Sequence, residues 1–407
     1  MFSKFERNKV FRDPLYGYIT VEYKIIIDLI NTKEFQRLRR IRQLSGVSMV
    51  FHTAEHSRFA HSLGAYYMAK KVIDEAYGID ENMDEYQKVL FLITALLHDL
   101  GHGPYSHAFE SVLSVSHEEM TARIITSEKT EVNRVLTKYK NLAEDAASII
   151  RHTKRFPLIE SLVSSQIDVD RMDYLERDAY FTGATYGHID YNRLIRCMKI
   201  VDGQVLFRPS SVNSIESYIM SRYHMYWQVY FHPIGKAYEL LLESIYKRVK
   251  DLSDSPVKLK TDISSLINVM KNENDLNSYI DLDDSYVNGM IKQLTKEEDE
   301  ILKTLANDFM NRKLFKYVDI DSQSAKEIKN KYSKAKNNRY YYYDIKFSQT
   351  AYLHIDQTLS YDINDIKIIL DDNETVSLED YSPIIKGLVK TSPKKSMRIF
   401  YLEDAYV

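Results

Sequence analysis

The chain has a single cysteine, Cys197, among 407 residues. That excludes an intramolecular disulfide and fits a reducing cytosol. Glycine (12) and proline (8) are scarce. Together they make up about 5% of the chain against a usual ~12%, which argues against turn-rich β architecture and for long helices. No apolar run approaches the ~18 residues that cross a bilayer, and the opening MFSKFERNKVFRDP lacks the apolar core of a signal peptide. Charge of one sign is also missing: 55 basic and 58 acidic side chains leave −3. This balance supports neither a membrane-surface binder nor a general nucleic-acid coat, so nucleic acid is not indicated. A soluble, cytoplasmic, helix-rich protein is expected.

DPLYGYITV (Asp13 to Val21) reads as a turn and a short strand. From NTKEFQRLRRIRQL onward the pattern becomes helical, with Phe35, Leu38 and Ile41 on one face. Further helices are predicted over Ala60–Ala76, Met83–Leu100, His117–Thr126, Asn141–Arg151, Val169–Ala179 and Lys296–Phe315, with a long one from Val212 towards Lys250. After about residue 252 the composition shifts to Lys, Asp, Asn and Ser. RYYYYDIKF, DIKIIL and SMRIFYL near the end read as strands of a small sheet, with Tyr340–Tyr343 a strand buried on one face. The expected division is a core over 1–250, a helical extension over 251–330 and a small α+β region over 331–407. DLDDSYVNGMIK does not make a calcium loop, because Tyr286 stands at position six and Lys292 at position twelve; it reads as polar sequence opening a helix.

What is present in excess is histidine in one place. LLHDLGHGPYSH, Leu96 to His107, holds three of the twelve histidines, and each imidazole nitrogen in a buried segment needs a partner. The apolar run VLFLITALL carries a helix into His98–Asp99, where Gly101 and Gly103 read as stop signals. Neighbouring helical residues point about 100° apart, so an adjacent His and Asp can reach one metal near the bisecting direction. Two more ligands must come from elsewhere. His61 lies in an amphipathic helix and Asp170 in IDVDRMDYLERD; alone, the first reads as a satisfied helix histidine and the second as an N-terminal helix carboxylate. Two imidazoles and two carboxylates suit an octahedral Mn, Fe or Mg ion with open positions, and a closed zinc site is disfavoured without cysteine.

The order His61 … His98–Asp99 … Asp170 matches the H…HD…D signature of the HD metal-dependent phosphohydrolases. The words DPLYGYI, FQRLRRIRQL, HSRFAHSLG, LLHDLGHGPYSHAFE, HEEM, IDVDRMDYLERD and NRKLFK span most of residues 10–318. In that order they closely resemble the deoxynucleoside triphosphate (dNTP) triphosphohydrolases of that superfamily, the sterile-alpha-motif HD enzyme of animals and its bacterial relatives. The resemblance implies a mostly α fold with an HD-domain helical core, a helical extension and a small C-terminal α+β region. It also implies a divalent metal ion and hydrolysis of a dNTP at the α-phosphate to deoxynucleoside and triphosphate. His107 is the implied proton donor, with Glu110 and His117 completing a relay and His102 at phosphate; the animal enzyme has aspartate where Glu110 stands.

No GxxxxGK[ST] segment exists, so side chains must hold the phosphates. Successive steps on the helix after Asp170 place Asp170, Tyr174 and Asp178 at about 0°, 40° and 80°, with Arg171 at about 100°. The resemblance makes Arg171 a phosphate contact, Tyr174 a sugar platform and Asp178 an acceptor for the 3′-hydroxyl. Arg222, Tyr226 and Tyr230 repeat the spacing: Arg222 for phosphate, Tyr230 near sugar or base, and Tyr226 where the animal enzyme has histidine. Gln43 and Leu44 match the pair that closes on the deoxyribose edge, and Arg58 should meet the α-phosphate. Many relatives are activated by a nucleotide bound between subunits. Asn31, Gln36 and Arg39, with Arg312 and Lys316, stand at the matching positions, which implies a dNTP or GTP-like effector and a homo-oligomer, dimer or tetramer. Asn31 replaces an aspartate there, and asparagine offers one acceptor and one donor where aspartate accepts twice from guanine. Two other readings of the metal site are an enzyme acting on a nucleoside monophosphate or cyclic nucleotide, and a nucleotide sensor that kept the fold. Arginines 37, 39, 40 and 42 could serve a nucleic-acid binder but read better as a charged helix face or effector pocket.

Overall fold

The structure is a computed structural model that describes residues 2–110, 113, 115–256, 259–334, 338–349, 366–370, 374–390 and 394–402. Its centre is the helix Glu85–Leu97, opened by a reciprocal Asp84–Gln87 capping box. Every residue from Val89 to Leu97 is buried, so from Val89 onward this helix has no solvent face and other helices must surround it. The helix Arg58–Glu75 packs along it, started by Ser57 accepting from the Ala60 amide. The helix Val169–Thr182 packs on that one in turn. Asp168 caps its start, and Gly183, at φ +74°, ends it in the left-handed conformation that glycine adopts without strain. These three helices carry His61, His98 at the end of the central one, and Asp170. A mostly α fold is what the sequence led us to expect.

Several local expectations are corrected. The helix expected over NTKEFQRLRRIRQL covers only Lys33–Arg37 with a 3₁₀ turn to Arg40, and Ile41 is extended. The backbone of 41–43 instead pairs with 56–58: the Arg58 amide donates to the Ile41 carbonyl and the Gln43 amide to that of His56, each at 2.9 Å. The long helix expected from Val212 is two, Val212–Met225 and Pro233–Ser253, joined by a π-helical stretch over Tyr226–Tyr230. Pro233 lacks an amide hydrogen and fits only a first turn, which places the break in front of it. Tyr340 and Tyr341 close a short helix, Asn338–Tyr341, both buried, and only Tyr342 begins the strand. The segment around DLDDSYV does open a helix, with Asp283 accepting from the Tyr286 amide.

Among the described residues, nine strands make three small sheets: β1 (Lys4–Asp13) with β2 (Gly17–Tyr23); β3 (Met198–Val201), β4 (Gln204–Phe207), β7 (Lys367–Ile369) and β8 (Thr375–Ser377) in that order; and β5 (Lys316–Asp319), β9 (Lys394–Tyr401) and β6 (Tyr342–Gln349). The second sheet joins strands from the regions 1–250 and 331–407, and the third joins strands from 251–330 and 331–407. Among the described residues, no helix is long and apolar enough to cross a membrane.

Beyond the core, Glu297 fastens the chain that follows the Pro233–Ser253 helix. Its carboxylate, only 5% exposed, accepts from the amides of Lys260 (3.0 Å) and Thr261 (2.8 Å) and from the Thr261 hydroxyl (2.7 Å). Burial alone would raise its pKa, but these donors hold it below the ordinary carboxylate range. A carboxylate lowered on folding adds stability above its unfolded pKa and loses it as pH falls through the folded value. Glu297→Gln is therefore expected to destabilise the protein by about 1–3 kcal/mol at pH 7. In urea unfolding, the gap to wild type should shrink as pH drops below about 4. A gap that widens on acidification contradicts this role.

Candidate active site

His98 ends the central helix with its Nδ1 hydrogen-bonded to the Ala95 carbonyl at 2.9 Å. His61, one helix across, has its Nδ1 at 2.7 Å from Asp173 Oδ2. A carbonyl can only accept and a buried carboxylate accepts best, so in both rings Nδ1 is the donor and Nε2 keeps its lone pair. The two Nε2 atoms face each other at 3.2 Å. Asp170 Oδ1 lies 2.9 Å from His61 Nε2 and 3.3 Å from His98 Nε2. Asp99 adds Oδ1 at 3.4 Å from His98 Nε2 and Oδ2 at 3.7 Å from His61 Nε2. The acceptors of His61, His98 and Asp99 thus lie close enough to share one ion, with Asp170 beside both imidazoles, an arrangement that a cation resolves. Protonation is the alternative: burial would lower the pKa of His61, yet Asp170 and Asp173 raise it to about 10. Burial would likewise raise Asp170, and the charges of His98 and His61 pull it below the usual carboxylate range. The donor set fits a divalent ion with oxygen and imidazole preference.

The loop after the HD pair is held by unusual packing. A Cβ on Gly101 would lie 2.2 Å from the His117 carbonyl oxygen and from the Thr121 amide, and one on Gly103 would lie 2.2 Å from the Phe109 ring. Neither glycine has a positive φ. They permit close approach and are not the left-handed helix stops expected from sequence. Tyr105 and Ser106 take φ values of 55° and 46°, a strained turn for residues with side chains. It aims Ser106 Oγ at Arg58, which donates to it from Nη2 at 2.8 Å and from Nε at 3.1 Å. The third arm of Arg58 pairs with Asp99. Burial would raise Asp99, but Arg58 and then His98 keep it well below the ordinary range.

His102 Nε2 lies 3.2 Å from Asp99, and its ring stacks on His117 at 3.9 Å and 15°. His117 Nδ1 is 2.7 Å from Glu110 Oε1, and His102 Nδ1 is 3.8 Å from the same oxygen. Burial and the neighbouring Arg58 hold His102 well below its usual pKa, whereas Glu110 raises His117 against its burial. His107 opens the short helix His107–Glu110; its side chain lies outside the described residues.

A cavity of about 610 Å³ runs from this cluster past Gln43, Leu44, Tyr174, Asp178, Tyr226 and Tyr230 to Phe231, Lys236 and residues Ile345–Phe347 of β6. Arg222 lies 5.8 Å from the centroid of the Tyr226 ring, which lines the cavity, and Arg171 follows Asp170 on its helix. Arg171 Nε pairs with Asp168 at 3.1 Å and Arg222 Nη1 donates to Gln166 at 3.0 Å. Arg171 Nη1, Arg222 Nε and Gln43 Oε1 are buried with no hydrogen-bond partner. Such atoms are costly unless something outside the protein satisfies them. Asp178 accepts from the Tyr230 hydroxyl at 2.7 Å and meets His56 Nε2 at 2.7 Å. The residues expected at an effector site fall in two groups. Gln36 Nε2 donates to the Ile30 carbonyl beside Asn31, and Arg39 Nε donates to Gln36 Oε1 at 2.9 Å while lying over the Phe59 ring. Arg312, itself at φ 55°, donates to the Met49 carbonyl at 3.0 Å, and Lys316 starts β5.

Sequence reasoning missed Asp173, Arg177, Ser106 and His56. The i,i+4 spacing of Asp173 and Arg177 was a legible signal. His56 and Ser106 sit in loops where periodicity says nothing.

Comparison with known proteins matches residues 58–178 to the HD domain and residues 189–406 to the HD associated region. The uncharacterised protein YwfO of Bacillus subtilis is 44% identical over 320 residues, 78% of this chain and 74% of that one. A crystal structure of a phosphohydrolase from Bacteroides thetaiotaomicron superposes with a TM-score of 0.84 at 27% identity, covering 98% of this chain and 100% of that one. The deoxynucleoside triphosphate triphosphohydrolase SAMHD1 homolog of Dictyostelium discoideum is 28% identical over 342 residues, 78% of this chain and 61% of its own length.

Proposed function

The chain belongs to the HD-domain family of metal-dependent phosphohydrolases, and from that premise we propose that it hydrolyses dNTPs to deoxynucleoside and inorganic triphosphate. The observation that carries this reading is a cavity lined by Asp99 and Asp170 of the acceptor cluster, by Arg58 and His102, and by Gln43, whose Oε1 is buried without a partner. The amide oxygen asks for a hydroxyl or amine donor, and the unpartnered guanidinium nitrogens of Arg171 and Arg222, outside the lining, ask for an anion. A nucleotide supplies both. The likeness to dNTP triphosphohydrolases of other organisms supports the same substrate class.

His61, His98, Asp99 and Asp170 are assigned as the metal ligands, with Mn, Mg or Fe suited to the set. A divalent ion so held polarises a phosphoryl oxygen and activates water. Arg58, Arg171, Arg222 and His102 bind and orient phosphate. His107, Glu110 and His117 are assigned to move the proton that the leaving 5′-oxygen requires. Tyr174 is assigned as the sugar platform and Tyr230 to the sugar or base, with Tyr226 beside Tyr230; Asp178 is assigned to accept the 3′-hydroxyl, and Gln43 with Leu44 to close on the 2′ edge. Asn31, Gln36 and Arg39, together with Arg312 and Lys316, are assigned to an activating dNTP or GTP-like effector between subunits of a cytoplasmic homo-oligomer. A nucleoside monophosphate or cyclic nucleotide is the second substrate class, and its single phosphate offers fewer partners to Arg58, Arg171 and Arg222.

The test mixes purified protein with the four dNTPs, singly and in pairs, with Mn²⁺ or Mg²⁺, and resolves products by ion exchange. Deoxynucleoside with intact triphosphate is the expected outcome, and turnover confined to mixtures reveals the effector. Metal binding with no dNTP cleaved refutes the assignment and moves the test to smaller phosphoesters.

A further inference from the structure

His56 belongs to none of the metal or relay groups, yet it is buried at 7% exposure and bound on three sides. Its Nε2 lies 2.7 Å from Asp178 Oδ1. Its ring stacks on Phe181 at 4.6 Å and 17°. Its carbonyl accepts the Gln43 amide at 2.9 Å, in the short pairing that also seats Arg58. One residue thereby touches the carboxylate assigned to the 3′-hydroxyl and the backbone of the residue assigned to the 2′ edge.

We infer that His56 is a positioning residue that fixes the sugar-recognition edge of the cavity, an assignment that rests on the dNTP reading above. Asp178 is almost wholly buried, and a buried carboxylate needs donors to stay charged and oriented. Tyr230 supplies one donor, to Oδ2, and His56 the other, to Oδ1. With Nε2 donating, His56 Nδ1 is an acceptor, and it has no partner in the protein. Each carboxylate oxygen keeps a second lone pair for a ligand hydroxyl. The Phe181 stack stops the imidazole from turning, so the free lone pairs of Asp178 keep one direction. Losing His56 leaves Asp178 held from Oδ2 alone and free to turn away from the sugar.

The experiment compares a dNTP with its 2′,3′-dideoxy counterpart by steady-state kinetics on the full chain. Wild type should show a dideoxy KM higher by about tenfold to a hundredfold, the usual worth of a hydrogen bond to a charged group. In His56→Ala the dNTP KM should rise towards the dideoxy value, with kcat changing less and metal content unchanged. His56→Gln, whose amide reaches the Nε2 position, should restore most of the preference. His56→Asn, shorter by one methylene, should not, and it replaces the alanine variant if that one fails to fold. A purely structural histidine would lower stability but leave the dNTP-to-dideoxy ratio at its wild-type value, and that result overturns the inference. A wild type that cleaves neither substrate overturns the functional reading itself, which is a separate and distinguishable failure.

Discussion

Replacing His98 by alanine is expected to give a folded protein that retains no divalent metal and turns over at least ~10³-fold more slowly, since a bound ion contributes several kcal/mol of charge stabilisation. His98 is the cleanest of the four positions to remove. Outside the cluster its imidazole hydrogen-bonds to the Ala95 carbonyl of its own helix, and its side chain is 11% exposed. The same substitution at Asp99 is less clean. It strips Arg58, whose side chain is 6% exposed, of its carboxylate, and an unpaired buried charge costs about 3–5 kcal/mol. Metal content by mass spectrometry, dNTP turnover and urea unfolding should therefore separate the two variants. His98→Ala loses metal and activity with a smaller loss of apo stability than Asp99→Ala, which also leaves Arg58 without its carboxylate. Stoichiometric metal in His98→Ala contradicts the ligand assignment.

What the sequence made legible follows from which interactions are local. Capping residues and 3.6-residue periodicity lie within one or two turns, so the helix His117–Thr126 was read to its ends and the starts of the His61 and Asp170 helices to within two residues. The cavity face of Asp170, Tyr174 and Asp178 follows from spacing on one helix, and all three do line it. Non-local choices were hidden. The charged run at RLRRIR gave no sign that Arg37 is wholly buried, donating to the carbonyls of Leu282 and His102, while Arg39 is exposed and Arg40 pairs with Asp283. β4 takes β7 as a parallel neighbour across about 160 residues of chain, and strand propensity alone names no partner. The tyrosine run turned helical at Tyr340–Tyr341 because the Tyr340 hydroxyl reaches Asp251 and its ring meets Arg248, contacts supplied by a distant helix. The close approaches at Gly101 and Gly103 likewise depend on Thr121 and Phe109, which no spacing rule brings there.

Arg177→Ala should be the most destabilising single change away from the metal ligands, at about 3–5 kcal/mol. The guanidinium is fully buried and all three nitrogens are engaged. Nε and Nη2 each donate to Asp173 at 2.9 Å, and Nη1 donates to Asp13 at 3.0 Å. Asp173 in turn meets the Tyr16 hydroxyl at 2.7 Å and His61 Nδ1 at 2.7 Å. Asp13 and Tyr16 belong to the turn between β1 and β2, so one arginine ties that hairpin to the Asp170 helix and, through Asp173, to a metal ligand. Gly64 confirms how tight the junction is, since a Cβ there would lie 1.8 Å from Asp173 Oδ1 and 2.5 Å from Arg177 Nη2. Removing the guanidinium leaves two carboxylates buried without their shared cation, and burial then favours their protonated forms. A neutral Asp173 holds His61 less firmly, and loss of such an outer partner typically weakens metal binding about 10–100-fold. Arg177→Lys should rescue little, because a single ammonium cannot reproduce a fork bound to two carboxylates. Urea unfolding with and without Mn²⁺ reads both effects, and limited proteolysis in the hairpin reads the detachment. A stability loss below about 1 kcal/mol with metal affinity intact would show that the hairpin and the helix are held together by their apolar contacts alone.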